Sequence, residues 1–368
     1  MSMKNFFATA SIVTAVALGS CLLARPASAQ LGPVAIPRDE APHPNTWTEW
    51  WYFVGHLTGT DPQGNTHHYG FDETFIRSDA LALEPVAAIY EGHFEITDLD
   101  RGTFNVNANA ISLQPDVIPL GGGFNNTLDG WHMDGYEGTD HVQGFLPDLS
   151  YTAALTLTQS TPPALHGNQG IIPYGVFGIS AYFSYTNLQV SGVVYDHGVP
   201  VRVTGIAWHD HQYGDFASTP GGWDWFSLQL NNGTQYMLYF LLDGNGNLVQ
   251  KVGTLVNADG STVNLDPNSM VETKLATWTS PATGATYHTS WVVQVPGGSL
   301  SVTGLIPASE VTSSQAGSNY WEGDSTVTGT INGQAVTGVS YVEQLPPKQL
   351  PTRGSEWVTI FESLVGDL

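Results

Sequence analysis

Cysteine is almost absent from this chain: Cys21 is the only one. It lies in an N-terminal stretch that reads as a removable leader, so the mature chain is expected to have none. Disulfides, thiol catalysis and cysteine metal sites are thereby excluded, and stability must come from a sizeable core. Cations are nearly as scarce, with 10 Lys and Arg against 33 Asp and Glu and a net charge of −23. A surface of that sign repels nucleic acid and anionic lipid. Charged residues of both signs make up only 12%, while aromatics reach 11%, which points to an apolar small molecule rather than an ionic one as partner. Helical periodicity is also missing beyond the leader. No G-x-S-x-G, Walker, dinucleotide-binding or H-E-x-x-H pattern occurs, so serine hydrolase, nucleotide and zincin chemistries find no support. No cofactor is called for.

The leader has Lys4, then "FFATASIVTAVALGSCLLA", then small residues in an A-x-A arrangement at Ala27, Ser28 and Ala29. This is the form of a secretory signal cleaved before Gln30, and it is too short for a good membrane anchor. "LGSC" offers a rival reading as a lipidation site at Cys21. The expected location is outside the cell or in a periplasm, with no stable membrane span. Residues 30–44 form a proline-rich leader to the folded part.

Beyond residue 44 the apolar stretches are short, alternating and punctuated by turns. "HFEITDLDRGTFNVNANAISL", "LSYTAALTLTQS" and "STVTGTINGQAVTGVSYVEQL" each read as strands around a Gly, Asn or Asp turn, the hairpin signature. The fold class is all-β and antiparallel, as barrels or sandwiches. "EWWYFVGHLTG" has an echo in "WDWFSLQLNNG"; setting Trp51 on Trp225 gives an offset of about 174 residues, half the mature chain. Two similar domains are expected, 45–215 and 216–366, meeting near "YGDFASTPGG" (213–222). The stretch "WWYFV" is apolar on both alternating faces, which calls for a strand covered on both sides.

Four stretches, "EWWYFVGHL", "GIAWHDHQYGDF", "GWDWFSLQL" and "YWEGDSTVTG…GVSYVEQL", resemble in order and spacing the blocks of the AttH/CrtC family, lipocalin-like proteins that include carotenoid 1,2-hydratases. The resemblance spans about residues 45–346. It implies two tandem lipocalin-like antiparallel β-barrels with a ligand site in or between them. It also implies relatives of differing activity: carotenoid hydratases, a fungal hydratase of a prenyl side chain, and fungal Diels–Alder cyclases. In the hydratase pattern an acidic residue follows a tyrosine on the strand after the "WHDH" block. Here Tyr239 is followed by Phe240, Leu241 and Leu242, with Asp243 at the turn, so the resemblance carries the fold further than the reaction.

The stretch richest in chemistry is "TGIAWHDHQYGDF". On a strand, Trp208 and Asp210 share one face and His209 and His211 the other. Hydrating an isoprenoid alkene needs an acid to protonate one carbon, a setting that tolerates a tertiary cation, and a base for the attacking water. A desolvated carboxyl suits the first task, aromatic faces the second, and a histidine the third. Asp210 is therefore the candidate general acid and His211 the candidate base. Trp50, Tyr52, Trp208, Tyr213, Trp225 and Tyr239 are the candidate substrate wall. The bland alternative is that Asp210 is a hydrogen-bonded strut.

Three functions compete: a hydro-lyase of the carotenoid 1,2-hydratase type acting on an isoprenoid or prenyl C=C bond, a non-catalytic carrier of an isoprenoid or polyketide-like ligand, and a pericyclase. H-x-H, with His67, His68 or His132, also raises a metal site, but the further spacing a cupin needs is missing, and no metal is expected. Arg77 is expected to form a structural pair with a carboxylate such as Glu49 or Glu73. Glu343 and the acid of "YWEG" are expected in interdomain packing. The Gly-rich stretch around Trp131 and His132 reads as a lid or a surface loop.

Overall fold

The computed structural model describes residues 31–79, 87–159, 161–216, 221–312 and 319–346. The signal-sequence reading, Cys21, part of the 213–222 junction and the C-terminal end of the second expected domain lie outside the described residues. No helix among the described residues is long and apolar enough to cross a membrane.

Two large antiparallel sheets account for nearly all the described chain. The first contains β1 (Thr48–Thr60), β2 (Thr66–Asp79), β3 (Ala88–Asp98), β4 (Thr103–Gln114), β5 (Phe124–Leu128), β6 (Trp131–Tyr136), β7 (Thr139–Phe145), β8 (Tyr151–Thr158), β9 (Ala164–Leu165), β10 (Ile171–Pro173), β11 (Gly178–Asp196) and β12 (Val199–Phe216). The second begins with β13 (Trp223–Leu230), β14 (Gln235–Leu242), β15 (Leu248–Val256), β16 (Thr262–Asn264) and β17 (Val271–Lys274). After a small separate hairpin, β18 (Thr277–Thr279) and β19 (Thr286–His288), it resumes with β20 (Ser290–Val295), β21 (Gly298–Gly304), β22 (Glu310–Thr312), β23 (Asn319–Ile331) and β24 (Gln334–Leu345).

Both sheets are threaded the same way. In the first, the chain starts at the centre with β1, steps outward through β2 and β3 to β4, crosses to β5 on the opposite edge, and returns through β6, β7, β8 and β11 to β12 beside β1. In the second it starts with β13, steps out to β16, crosses to β17 and returns through β20, β21 and β23 to β24 beside β13. Each sheet curls on itself into a barrel-like domain, with β4 and β5 approaching each other in the first. The repeat seen in the sequence is thus a repeat of topology, but its register shifts by one. Trp51 points into the first barrel and Trp225 into the layer between the sheets, whereas Phe226 points into the second barrel. A slip of one residue exchanges every inward side chain for an outward one; Trp225 shares the direction of Trp50 and Tyr52, and Phe226 that of Trp51.

The two-faced apolar strand is explained by two cores. From β1, Trp51 and Phe53 join Phe75, Phe94, Phe124 and Trp131 inside the first barrel. Trp50, Tyr52 and Val54 join Tyr182, Trp208, Trp225, Tyr239 and Tyr341 between the sheets. Each large side chain fully removed from water contributes roughly 1.5–3 kcal/mol, so this one strand anchors both layers. Approach between the sheets is close. At Gly70 the Tyr341 hydroxyl and Asp324 occupy the space a Cβ would need. Where the β11 ladder slips between Tyr185 and Leu188, the amide of Gln229 from the second sheet donates to the carbonyls of Thr186 (2.9 Å) and Ala207 (3.0 Å).

Candidate active site between the two sheets

Strand pairing lines up side chains in rows, because directly opposed residues point the same way. On the first sheet one row runs Ser184, Asp210, Tyr52, Thr74, His93. On the second, a row runs Tyr239, Trp225, Glu343, Glu322. The rows face each other. Tyr52 donates its hydroxyl to Glu322 Oε1 at 2.8 Å, and Trp225 Nε1 donates to the Tyr182 hydroxyl at 3.0 Å. Tyr182 in turn donates to Asp210 Oδ2 at 2.6 Å. Asp210 Oδ1 accepts from Trp208 Nε1 at 2.6 Å and from Ser184. His166, fully buried, links Ser184 (2.6 Å) to Thr254 of the second sheet (2.8 Å).

Further along, the layer is a nest of carboxyls. Asp72 and Glu95 on the first sheet meet Glu322 on the second, with Asp324 and His56 in contact at 2.9 Å and the Tyr320 hydroxyl 2.5 Å from His93 Nδ1. Asp72 Oδ2, Glu95 Oε2, Glu322 Oε2 and the Tyr341 hydroxyl are buried without a hydrogen-bond partner. Burial disfavours the charged form, and crowding of like charges adds to it. Asp72, Glu95 and Glu322 are accordingly all pushed well above the carboxylate range, by burial first; the charge of Asp72 adds to this at Glu95 and Glu322, while at Asp72 a hydrogen bond from Thr74 opposes it and the charge of Glu343 adds to it. Asp210 is raised to about 7 by burial, against the pull of its bonds from Ser184, Tyr182 and Trp208. Glu343, only half-buried, rises to about 8 through desolvation and the Asp210 charge, opposed by a hydrogen bond from Trp223. A second-sheet carboxyl and a first-sheet carboxyl thus sense each other beside the rings of Trp225 and Tyr239.

Of the expected site residues, the structure gathers Asp210, Tyr52, Trp208, Trp225 and Tyr239 in this layer, with Trp50 at its edge against Phe216 (5.4 Å, edge-on). It does not bring His211 or Tyr213 there. Both point into the first barrel, across the sheet from Asp210: His211 Nε2 lies 2.8 Å from Glu49 Oε1, and Tyr213 stacks on His43 at 3.5 Å. His211 and Asp210 therefore cannot act together on one substrate atom. His209 also faces inward, 3.5 Å from Asp140 and stacked on Phe53.

The other histidines weighed as metal partners stand apart. His67 contacts Asp61, His68 contacts Asp100, and His132 contacts Asp134. Among the described residues, the histidine–carboxylate set that does converge is His43, Glu49 and His211. Arg77 makes a two-pronged bond to Asp116 (2.8 and 2.9 Å), a partner that no sequence pattern singles out, and feels the Glu49 charge as well. Trp131 belongs to β6 and is buried in the first barrel; it forms no lid.

A family model described as AttH-like matches residues 27–344. Kievitone hydratase from Fusarium solani subsp. phaseoli is 22% identical over 268 residues, covering 68% of this chain and 73% of that protein. Among solved structures, an AttH-family protein from Nitrosomonas europaea aligns with a TM-score of 0.74 at 27% identity, over 87% of this chain and 98% of that one. Kievitone hydratase from Nectria haematococca aligns with a TM-score of 0.67 at 16% identity, over 87% and 95%. This chain belongs to the AttH-like family.

Proposed function

We propose that this protein is an exported, cofactor-independent hydratase that adds water to a C=C bond of an isoprenoid or prenyl chain, and that the reaction takes place between the two sheets. The observation that carries this reading is the facing pair of rows, which sets the carboxyls of Asp210 and Glu343 beside the rings of Trp225 and Tyr239. The hydratase among its relatives supports the reaction class.

Roles depend on how many donors each carboxyl already holds: three side chains bond Asp210, and Trp223 bonds Glu343. Both oxygens of Asp210 already hold donors from Ser184, Trp208 and Tyr182. Asp210 is therefore a positioning residue whose charge keeps its neighbour protonated. Glu343 is the proton donor, half-buried and protonated near neutral pH. Its proton goes to the less substituted alkene carbon, the π pair forming the new C–H bond and leaving a tertiary cation. The faces of Trp225 and Tyr239 stabilise that cation by about 0.5–2 kcal/mol each. Water bonds to the cationic carbon through oxygen, and its surplus proton returns to Glu343, now a carboxylate.

The test is to incubate the protein with prenylated phenols and isoprenoid alkenes in heavy-oxygen water. Wild type is expected to give labelled tertiary alcohol, and Glu343→Gln to give about 100-fold less or none. Wild-type rates from Glu343→Gln would refute the assignment of the acid. Tight binding without turnover by the wild type would refute the hydratase reading in favour of a carrier.

A further inference from the structure

A second group of side chains, unused by the chemistry above, lies within the first barrel on the other side of β12. Glu49 near the start of β1, His211 on β12, and His43 from the irregular segment before β1 each offer one ligand atom, and these atoms lie within 4.8 Å of one another. Glu49 Oε1 stands 2.7 Å from His43 Nδ1 and 2.8 Å from His211 Nε2. Glu49 Oε2 accepts the backbone N–H of His43 at 2.7 Å, which fixes the carboxylate's orientation. Glu49 and His211 are fully buried. The His43 ring is held in plane by stacking on Tyr213, and its far nitrogen lies 3.8 Å from Asp39 Oδ1. A carboxylate behind the outer nitrogen of a histidine is the usual orienting partner of a metal-bound imidazole.

We propose that His43, Glu49 and His211 form a binding site for one divalent transition-metal ion of the zinc or cobalt class, which pins the segment around residues 38–47 onto the first barrel. Two imidazole nitrogens and one carboxylate oxygen suit such an ion and are a poor set for magnesium or calcium, which prefer oxygen ligands throughout. Bonds of about 2.0–2.2 Å in a tetrahedron put neighbouring ligand atoms about 3.3 Å apart. The present spacings of 2.7 and 2.8 Å each need to open by about half an ångström; His43, outside any strand ladder, opens the first by moving, and a side-chain rotation of Glu49 or His211 opens the second. Three protein ligands leave one position for water. The His43 side chain keeps 21% exposure, which gives an ion a way in.

The full chain, dialysed against chelator, is titrated with cobalt(II) and followed by its visible d–d bands, with zinc as competitor. One equivalent of cobalt is expected, displaced by zinc. Binding should weaken at least tenfold in both His43→Ala and Glu49→Gln. His43→Ala alters no strand residue, and circular dichroism checks that it is folded. Zinc should raise the thermal midpoint of the wild type and leave that of His43→Ala unmoved. Absence of stoichiometric binding to the wild type would overturn the proposal, and so would cobalt binding that both variants retain unchanged. Either result would leave a hydrogen-bonded triad as the whole account of these residues.

Discussion

Asp210→Asn should make the protein's stability less sensitive to pH, and the size of the effect is set by where Asp210 sits. In the folded chain its carboxyl is fully buried and titrates near 7, against an ordinary 3.8. The folded state therefore holds this proton more tightly than the unfolded one. The stability this adds is fully present below about pH 4 and is lost as the pH climbs through 7. At 1.36 kcal/mol for each pH unit between the two values, the loss comes to roughly 4 kcal/mol as an upper bound. Coupling to Glu343 spreads part of it over both groups, so about 2–4 kcal/mol is the expected range.

Asparagine has the same shape and keeps an acceptor for Ser184 and Trp208, yet carries no titrating proton. The assay is urea unfolding of both proteins at pH 5, 6, 7 and 8. The part of the loss below pH 5 precedes the assay, so between pH 5 and pH 8 the free-energy difference between them should move toward the variant by about 1.5–2.6 kcal/mol. Parallel curves would refute the reasoning, because they would mean that Asp210 is equally charged in both states at every pH tested.

Two further substitutions test the contact between sheets. Gly70→Ala places a methyl group against the Tyr341 hydroxyl and Asp324 and should cost about 1–3 kcal/mol, read as a lower denaturant midpoint; an unchanged midpoint would show that the sheets can separate there freely. His166→Ala removes the bridge from Ser184 to Thr254 and should cost about 2–4 kcal/mol from two buried hydrogen bonds and the space left behind. A loss under about 0.5 kcal/mol, the size of an ordinary surface change, would show that the bridge contributes nothing.

Much of the fold was legible because alternation is a strong signal. The two-sided apolarity of "WWYFV" required cover on both faces, and β1 has it. The same rule also separates His211 from Asp210, since they are adjacent on a strand. The polar side of the site was harder to see. In "GFDETF" and "HFEIT", Asp72, His93 and Glu95 occupy the polar positions of alternating strands, a pattern identical to that of an ordinary solvent-facing sheet. Only the second sheet, distant in sequence, turns that face into an interior. The repeat misled by one residue for a related reason. Trp51 and Trp225 match as letters, but Trp50 and Trp225 match as directions. Arg77 shows the limit for pairs: its partner Asp116 lies outside the strands, where no periodicity ties a residue to a place.

The alternation along β12 has a consequence for how such a site can be built at all. Adjacent residues in "WHDH" serve opposite sides of one sheet: Trp208 and Asp210 line the layer between the sheets, and His209 and His211 line the first barrel. No single strand can offer an acid and its neighbouring base to one substrate atom. A reaction that needs a proton donor, a charge to keep it protonated and an aromatic wall must then draw on a second surface facing the first. Here β13, β14 and β24 supply that surface, through Trp225, Tyr239 and Glu343. One barrel alone holds only one of the two rows, and Asp210 without the second sheet would lose Trp225 from its hydrogen-bonded chain and the burial that raises it. The pairing of two barrels is in this sense a condition for the chemistry proposed between them, while the inner face of β12 is left free for the separate task proposed for His43, Glu49 and His211.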